Sequence, residues 1–265
     1  MSRVFANGIW LSYERRGQGK PVLLIMGSGA SGRVWTMYQV PALVEAGYEV
    51  VIFDNRGIPP SDAPPGRYSF EDLIADTKGL IEALGLAPCR IVGTSLGAII
   101  AQELAIANPD LVCCAVLIAT RARADAFRAA YLNAIRVLAE GDAKLPPAYA
   151  AVMSVLQMLS PQMQKNDTEI LSWLDLFELS GTDTAPGQAW ADPPDDRREA
   201  LSAITVPCLV VTFSDDVISP PHLGAEVAEA IPDCDLVNIG SCGHLGYLER
   251  PAEVNSAIIE FLNKN

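Results

Sequence analysis

Histidine is scarce in this sequence, which contains two, His222 and His244, among 265 residues. Six cysteines are present, and no two of them have the CxxC spacing of a metal site. A glycine-rich loop of the P-loop or dinucleotide-binding type is also missing. We therefore expect neither a bound metal nor another cofactor.

Positive charge is in short supply as well: 19 lysines and arginines stand against 32 aspartates and glutamates, for a net charge of −13. So acidic a molecule is repelled by nucleic acid and by anionic membrane surfaces, and its charge favours solubility. No apolar run approaches the roughly 18 residues of a membrane span. The segment Met1 to Asn7 is too short and too polar for a signal peptide. We expect a cytoplasmic protein with reduced thiols and with no nucleic-acid or membrane partner.

Apolar residues, by contrast, make up 50% of the chain, enough for one large α/β domain or one domain with an insertion. Short apolar runs predict strands, and most lack the polar alternation of a half-exposed sheet. The runs are Val4–Ala6, Ile9–Tyr13, Val22–Met26, Glu49–Phe53, Cys89–Val92, Cys113–Ala119, Cys208–Phe213 and Leu236–Ile239. Asn7 and Gly8, between the first two runs, suit the tight turn of a hairpin.

Helical periodicity fills the intervals between most of these runs. The predicted helices are Phe70–Leu84, Leu96–Ala107, Leu223–Ile231 and Ala252–Leu262. Alternation of strands with helices indicates an α/β fold. We predict a mostly parallel sheet of eight strands with helices on both faces.

One segment breaks this alternation. Between residues 122 and 201 the sequence shows helical patterns and no convincing strand. Helices are predicted at Ala124–Ala139, Tyr149–Leu159 and Glu169–Leu179, followed by a loop rich in Pro, Gly and Asp at Gly181–Asp196. We predict a core domain of residues 1–121 and 202–265, with a helical cap of residues 122–201 inserted in it.

The run Gly93-Thr94-Ser95-Leu96-Gly97 has the Gly-x-Ser-x-Gly pattern between a predicted strand and a predicted helix. In this context the pattern indicates a tight turn that exposes a nucleophilic serine above the edge of a sheet. Small residues must flank the serine because larger side chains would clash in such a turn. Ser95 is therefore the candidate nucleophile, and an ordinary glycine-containing turn is the alternative.

A serine hydroxyl needs a base at neutral pH. His244 follows the last predicted strand, which places it at the carboxyl edge of the sheet, where ligands bind in open α/β folds. His222 opens a predicted helix, and we expect it to be a surface residue. The base in turn needs a carboxylate to orient it, and Asp215 and Asp216 both follow the strand Cys208–Phe213.

The order Ser, Asp, His and the strand contexts make the sequence similar to the α/β-hydrolase superfamily. It resembles the branch of small cytosolic esterases and cofactor-free haloperoxidase-like perhydrolases, along the whole chain outside the cap. The acid loop of that family reads Gly-x-x-Asp before an apolar stretch and Pro, which matches Asp216 and Pro220, with Phe213 in place of the Gly. The family's histidine motif is matched by Gly243-His244 and, further on, Glu249-Arg250-Pro251.

The resemblance implies Ser95, Asp216 and His244 as the catalytic residues, and an oxyanion hole of two backbone N–H groups. One N–H comes from Leu96 and the other from Ser28, in the loop after the strand Val22–Met26. The family has His-Gly in that loop and this chain has Met-Gly. Since the donor is main chain, the missing histidine does not exclude the function. A plain glycine loop is the alternative.

The run Asp54-Asn55-Arg56-Gly57 resembles the family's Asp-x-Arg-Gly turn. We expect Arg56 to have a structural role and to pair with a nearby carboxylate.

The cap is expected to cover Ser95, and its apolar side chains suit an apolar substrate. The residues predicted to line the pocket are Gly27, Met153, Trp173 and Phe177. The alternative for the three cap residues is that they only pack the cap on the core. A basic cluster at the start of the cap comprises Arg121, Arg123, Arg128 and Arg136. It is either a solvated face, which the charge pattern favours, or a site for an anionic substrate or the phosphate of a carrier-bound thioester.

These residues together predict a serine hydrolase that cleaves an ester or thioester of a largely apolar small molecule through an acyl-enzyme. The same residues would serve an acyltransferase or a thioesterase acting on a carrier-bound substrate, or a perhydrolase if peroxide is the acceptor. A hydrolase-fold protein that only binds is a further alternative, which the complete Ser, Asp and His set argues against. Serine at position 95 also argues against the subclasses with an aspartate nucleophile, the haloalkane dehalogenases and epoxide hydrolases.

Overall fold

The short apolar runs of the sequence form the strands of one sheet. The computed structural model describes residues 2–141, 145–180, 185–191 and 196–265, and these contain eight strands. The strands are β1 Ser2–Ala6, β2 Ile9–Arg16, β3 Lys20–Ile25, β4 Tyr48–Phe53, β5 Cys89–Thr94, β6 Val112–Ile118, β7 Cys208–Phe213 and β8 Cys234–Ile239. Their spatial order is β1-β2-β4-β3-β5-β6-β7-β8.

The directions of the strands follow from the connections between them. β1 and β2 pair antiparallel around the tight turn at Asn7-Gly8, which brings Ala6 opposite Ile9. β2 also pairs antiparallel with β4, and the remaining neighbouring pairs are parallel. Parallel neighbours need long crossover connections, which the helices provide. The prediction of a mostly parallel eight-stranded α/β sheet is confirmed.

Helices cover both faces of the sheet, as predicted. They are α1 Gln39–Glu45, α2 Phe70–Leu84, α3 Leu96–Ala107, α4 Ala126–Glu140, α5 Pro147–Met158, α6 Asp167–Ser180, α7 Arg198–Leu201, α8 Pro221–Ala230, α9 Gly246–Glu249 and α10 Pro251–Lys264. One apolar core contains Leu73 of α2 and Leu104 of α3, and the other contains Leu43 of α1 and Ile258 of α10. The central strands lie between these two cores, which is why they are apolar throughout.

Several observed helices begin earlier than predicted because a proline stands at their first position. α5, α8 and α10 begin at Pro147, Pro221 and Pro251. The first N–H of a helix has no intrahelical acceptor, so a proline is tolerated there and its fixed φ favours the helix. The sequence pattern does not predict α1, whose seven residues are too few to show a helical repeat.

The segment predicted as a cap carries α4, α5, α6 and α7, and its described residues contain no strand. α5 and α6 pack on each other, whereas α7 packs against α3 and α8. The predicted loop Gly181–Asp196 lies partly outside the described residues, and a short 3₁₀ helix, Pro186–Trp190, forms within it. The division into core and cap stays a prediction.

In the described part of the chain, no helix has the length and apolar character needed to span a bilayer. The cytoplasmic location stays a prediction.

A buried ion pair joins the loop after β4 to α2. Arg56 Nε and Nη2 donate to the two carboxylate oxygens of Asp76 at 2.5 and 2.6 Å. Only 8% of the Arg56 side chain and 1% of the Asp76 side chain are exposed. Asn7 Nδ2 donates to the same carboxylate at 2.8 Å, so the pair also reaches the first hairpin. The predicted structural role of Arg56 is confirmed.

We expect Asp76→Ala to lower the free energy of unfolding by about 3–5 kcal/mol, because the buried Arg56 charge loses both of its hydrogen bonds to Asp76 and keeps only the longer ion pair with Asp72, at 3.5 Å. Glu82→Ala, on the same helix, is the control. Glu82 pairs with Lys78 at the surface, at 4.0 Å, so its loss should cost less than about 1 kcal/mol. Urea unfolding of both variants measures the difference, and equal losses would contradict the role given to the buried pair.

Candidate active site

Ser95 lies in the turn between β5 and α3, with φ 53° and ψ −119°. A positive φ is strained for a residue with a side chain, and such strain collects at functional sites. The turn is also very tight. A Cβ at Gly93 would overlap the carbonyl oxygen of Gly97, and a Cβ at Gly97 would overlap that of Ile25. The two glycines therefore permit the close approach of main chains that holds Ser95 in this conformation.

His244 lies in the loop after β8, and its Nδ1 is 2.8 Å from Asp216 Oδ2. Both side chains are buried, with 7% of His244 and none of Asp216 exposed. The other oxygen of Asp216 accepts from the N–H groups of Ile218 and Ser219, both at 2.8 Å. These main-chain donors fix the carboxylate. The carboxylate in turn fixes the imidazole ring, with Nδ1 toward it and Nε2 on the opposite side.

The remaining acid and base candidates have other surroundings. Asp215 accepts from Ser214 Oγ at 3.2 Å in the turn after β7. His222, at the start of α8, has 60% of its side chain exposed and lies 3.3 Å from Asp125, so its prediction as a surface residue is confirmed. Among the described residues, no group of three or more His, Cys, Asp or Glu side chains is placed to hold a metal ion.

The N–H groups of Leu96, the residue after Ser95, and of Ser28, the residue after Gly27, have no protein acceptor among the described residues. Leu96 is the first residue of α3, where helical N–H groups lack an intrahelical acceptor. Gly27 packs directly against Ser95, since a Cβ at Gly27 would lie 3.2 Å from Ser95 Cβ. The structure therefore brings the loop predicted to carry the oxyanion donor against Ser95.

Asp54 holds the far end of this loop. Its Oδ1 accepts from Ser31 Oγ at 2.6 Å and from the Gly32 N–H at 2.9 Å. Burial raises the pKa of the Asp54 carboxyl, although these hydrogen bonds act in the opposite direction. The sequence marks Asp54 only as part of a family turn. Nothing in it indicates the contact with Ser31, which is 23 residues away.

Glu249 links the loop that carries His244 to the segment predicted as a cap. Its carboxylate accepts from the Gly243 N–H at 2.8 Å and from Ser160 through both the N–H, at 3.1 Å, and the hydroxyl, at 2.5 Å. The Leu245 N–H donates to the last residue of α5 at 3.0 Å. The residues on both sides of His244 are therefore held by hydrogen bonds. The sequence marks Glu249 as part of the histidine motif, but its partner Ser160 lies 89 residues away.

The predicted pocket residues lie on different elements. Gly27 adjoins Ser95. Trp173 and Phe177 stack on α6 with their ring centroids 5.6 Å apart, and Met153 is half-buried on α5. The role of these three cap residues in a substrate pocket stays a prediction.

The arginines at the start of the cap have separate surroundings. Arg121 is 4% exposed, so the interpretation as a solvated face is wrong for this residue. Arg123 forms an ion pair with Glu226 at 2.5 Å. The guanidinium groups of Arg128 and Arg136 lie over aromatic rings, at 5.0 and 5.7 Å from the centroids. Sequence proximity suggested one cluster, but each of the last three side chains has its own neighbour.

Residues 22–257 match the model of a family described as the Alpha/beta hydrolase family. The chain is 41% identical over 254 residues to the "Putative non-heme bromoperoxidase BpoC" of Mycobacterium tuberculosis, a match that covers 95% of this chain and 97% of the relative. The crystal structure of that protein from strain H37Rv superimposes with a TM-score of 0.92, at 40% identity and over 96% of both chains.

More distant relatives carry hydrolase names. The chain is 28% identical over 256 residues to the "Putative carbamate hydrolase RutD" of Azorhizobium caulinodans, covering 95% of this chain and 94% of the relative. A thermophilic esterase from Thermogutta terrifontis superimposes with a TM-score of 0.84, at 28% identity and over 100% of this chain and 99% of the esterase. These matches include the segment predicted as a cap.

Gly97→Ala should lower the free energy of unfolding by about 1–3 kcal/mol, because the added methyl group overlaps the Ile25 carbonyl oxygen. Gly240→Ala is the matched control, since a Cβ there meets nothing within 4 Å. Its effect should stay within about 0.5 kcal/mol. Thermal and urea unfolding measure both variants. Equal stability of the two would show that the turn at Ser95 is less tight than described.

Proposed function

The chain belongs to the alpha/beta hydrolase family and is an enzyme, and we propose that it cleaves an ester or thioester of a largely apolar small molecule through Ser95, His244 and Asp216. The observation that carries the proposal is the buried hydrogen bond of 2.8 Å between Asp216 and His244. It provides an oriented base at the carboxyl edge of the parallel strands, the same edge at which Ser95 is held in its strained turn.

Acylation begins when Ser95 Oγ attacks the carbonyl carbon of the substrate. His244 Nε2 takes the hydroxyl proton, and Asp216 stabilises the imidazolium that forms. The carbonyl oxygen becomes negatively charged, and the N–H groups of Leu96 and Ser28 donate to it. The tetrahedral intermediate then collapses. The bond to the alcohol or thiol breaks, and this leaving group takes the proton from His244.

Deacylation uses the same groups with a new acceptor. Water gives a proton to His244 and attacks the acyl carbon, after which Ser95 leaves as an alkoxide and regains the proton from His244. An alcohol, amine or thiol in the place of water would make the enzyme an acyltransferase. All these reactions pass through the same acyl-enzyme. Which of them takes place depends on the acceptor that the cap admits.

Hydrogen peroxide is a second candidate acceptor. The 41% identity to a protein named a non-heme bromoperoxidase favours it. Attack of peroxide on the acyl-enzyme releases a peracid and returns the proton to Ser95. The peracid then transfers its terminal OH to bromide, which is oxidised to hypobromous acid, and is itself reduced to the carboxylate. A perhydrolase of this kind uses the same three side chains.

A fluorophosphonate should label Ser95 in the wild-type protein and leave Ser95→Ala unlabelled, because its adduct resembles the tetrahedral intermediate. Asp216→Asn should slow labelling by about 10³-fold, since the amide presents the wrong partner to His244. Intact-mass spectrometry follows the rate, and peptide mapping locates the adduct.

Asp215→Asn is the matched control for this labelling, and its rate should stay within about threefold of wild type because Asp215 accepts from Ser214 while His244 bonds Asp216. A rate loss at Asp215 instead of Asp216 would assign the acid to the other residue. Folded wild-type protein that stays unlabelled would contradict the catalytic proposal and favour a binding protein.

The acceptor is tested with p-nitrophenyl esters of graded chain length, first in water and then with added alcohol, amine, thiol or peroxide. Hydrolysis in water alone should rise with acyl-chain length, because a longer apolar chain buries more surface. Bromination of monochlorodimedone in the presence of peroxide, bromide and an acid measures the perhydrolase reaction. Negligible hydrolysis together with fast transfer to an added acceptor would contradict the hydrolase interpretation and identify that acceptor, instead of water, as the group that takes the acyl chain.

A further inference from the structure

Gln188 lies in the 3₁₀ helix Pro186–Trp190 and is 3% exposed. Its side-chain oxygen accepts from the Gly29 N–H at 2.9 Å and from the Ser28 hydroxyl at 3.2 Å. Its side-chain nitrogen donates to the main-chain oxygen of Arg56 at 2.7 Å. A glutamine 159 residues from Gly29 in sequence therefore binds the loop that carries the proposed oxyanion donor.

The partners of Gln188 fix the orientation of its amide. A main-chain oxygen can only accept and a main-chain N–H can only donate, so the amide nitrogen must face Arg56 and the amide oxygen must face Gly29. Arg56 is itself held by its two hydrogen bonds to Asp76. The oxygen of Gln188 is therefore a buried acceptor with a defined position.

The short helix that carries Gln188 is docked by contacts of its own. The Tyr68 N–H donates to the Gly187 main-chain oxygen at 2.9 Å. A Cβ at Gly187 would overlap the Tyr68 ring, so only glycine allows this approach. Because these contacts do not involve the Gln188 side chain, a substitution at Gln188 removes the hydrogen bonds to the loop and leaves the docking contacts in place.

We propose that Gln188 is a positioning residue through which the cap sets the geometry of the oxyanion hole; this inference rests on the proposed function of Ser95. Gln188 accepts from the Gly29 N–H and the Ser28 hydroxyl, so it restrains Ser28 both through its side chain and through the peptide unit that follows it. The N–H of this restrained residue, directly after Gly27, is left to stabilise the developing charge. Oxyanion donors act only when held within about 0.5 Å of their working position, so the restraint matters most in the transition state.

Gln188→Met keeps the length of the side chain and removes both hydrogen-bonding functions. For a p-nitrophenyl ester we expect kcat to fall about 10- to 100-fold with KM within about threefold of wild type, because the loop acts on the transition state more than on the bound substrate. Affinity for a trifluoromethyl ketone with the same acyl chain, which forms a charged adduct on Ser95, should fall by the same factor.

Gln157→Met is the matched control. Gln157 accepts from the Tyr131 hydroxyl at 2.8 Å, between α5 and α4, so the variant loses a hydrogen bond inside the cap without touching the loop. Its kcat should stay within about twofold of wild type. Gln188→Leu, which also removes both hydrogen-bonding functions from a side chain of similar volume, should show the same loss of kcat, and it tests the inference if the methionine variant does not fold.

Hydrogen exchange at the Gly29 amide gives a readout that does not depend on catalysis. It should be about tenfold faster or more in Gln188→Met than in wild type and Gln157→Met, because the amide loses its buried acceptor. Unchanged kcat, ketone affinity and Gly29 exchange in Gln188→Met would overturn the inference. Absence of Ser95 labelling in wild type would instead overturn the proposed function, and the Gly29 exchange would still test the contact.

Discussion

The tight turn between β5 and α3 is the constraint on which the rest of the site depends. Ser95 adopts a positive φ because main chains approach so closely on both sides that Gly93 and Gly97 have no room for a Cβ. The same geometry places Ser95 at the carboxyl edge of the parallel strands and makes Leu96 the first residue of a helix. The strained Ser95 and an N–H group with no protein acceptor in the described part of the chain therefore lie in one short segment, which a sheet buried on both faces supports.

Three polar side chains hold the loops on either side of this turn, two of them buried and the third, Glu249, half-buried. Asp54 and Gln188 bind the loop that begins at Gly27, and Glu249 binds the loop that carries His244. Because a buried donor or acceptor is costly when unpaired, each of these contacts restricts its loop strongly. Two of the three reach into the segment predicted as a cap. That segment is therefore bonded to the loops around Ser95, in addition to whatever substrate contacts it supplies.

Local patterns were sufficient for most of the fold. Buried parallel strands are short apolar runs, and helices such as α2 repeat their apolar residues at the helical period, so both are visible in sequence. The differences also have local causes. Helices that start at a proline, such as α10, were predicted to begin too late, and α1 is too short for its period to be seen. The arginines predicted as one basic cluster do not share one environment. Arg121 and Arg123 are close in sequence, but Arg121 is buried and Arg123 forms an ion pair with Glu226.

The candidate nucleophile and base follow from the sequence alone, because Ser95 sits in a short motif with a strand before it and a helix after it, and because histidine is so scarce that His244 has one competitor. The residues by themselves leave Asp215 and Asp216 open, and the family resemblance favours Asp216, whereas the burial of Arg121 and the contacts of Gln188 depend on the folded chain. Such features depend on the direction of a side chain and on the residues that pack against it. Those residues can be far away in sequence, as Gln188 and Gly29 are at a separation of 159. Sequence periodicity carries information over a few turns or strands, whereas such contacts are set by how the loops at one edge of the sheet pack together.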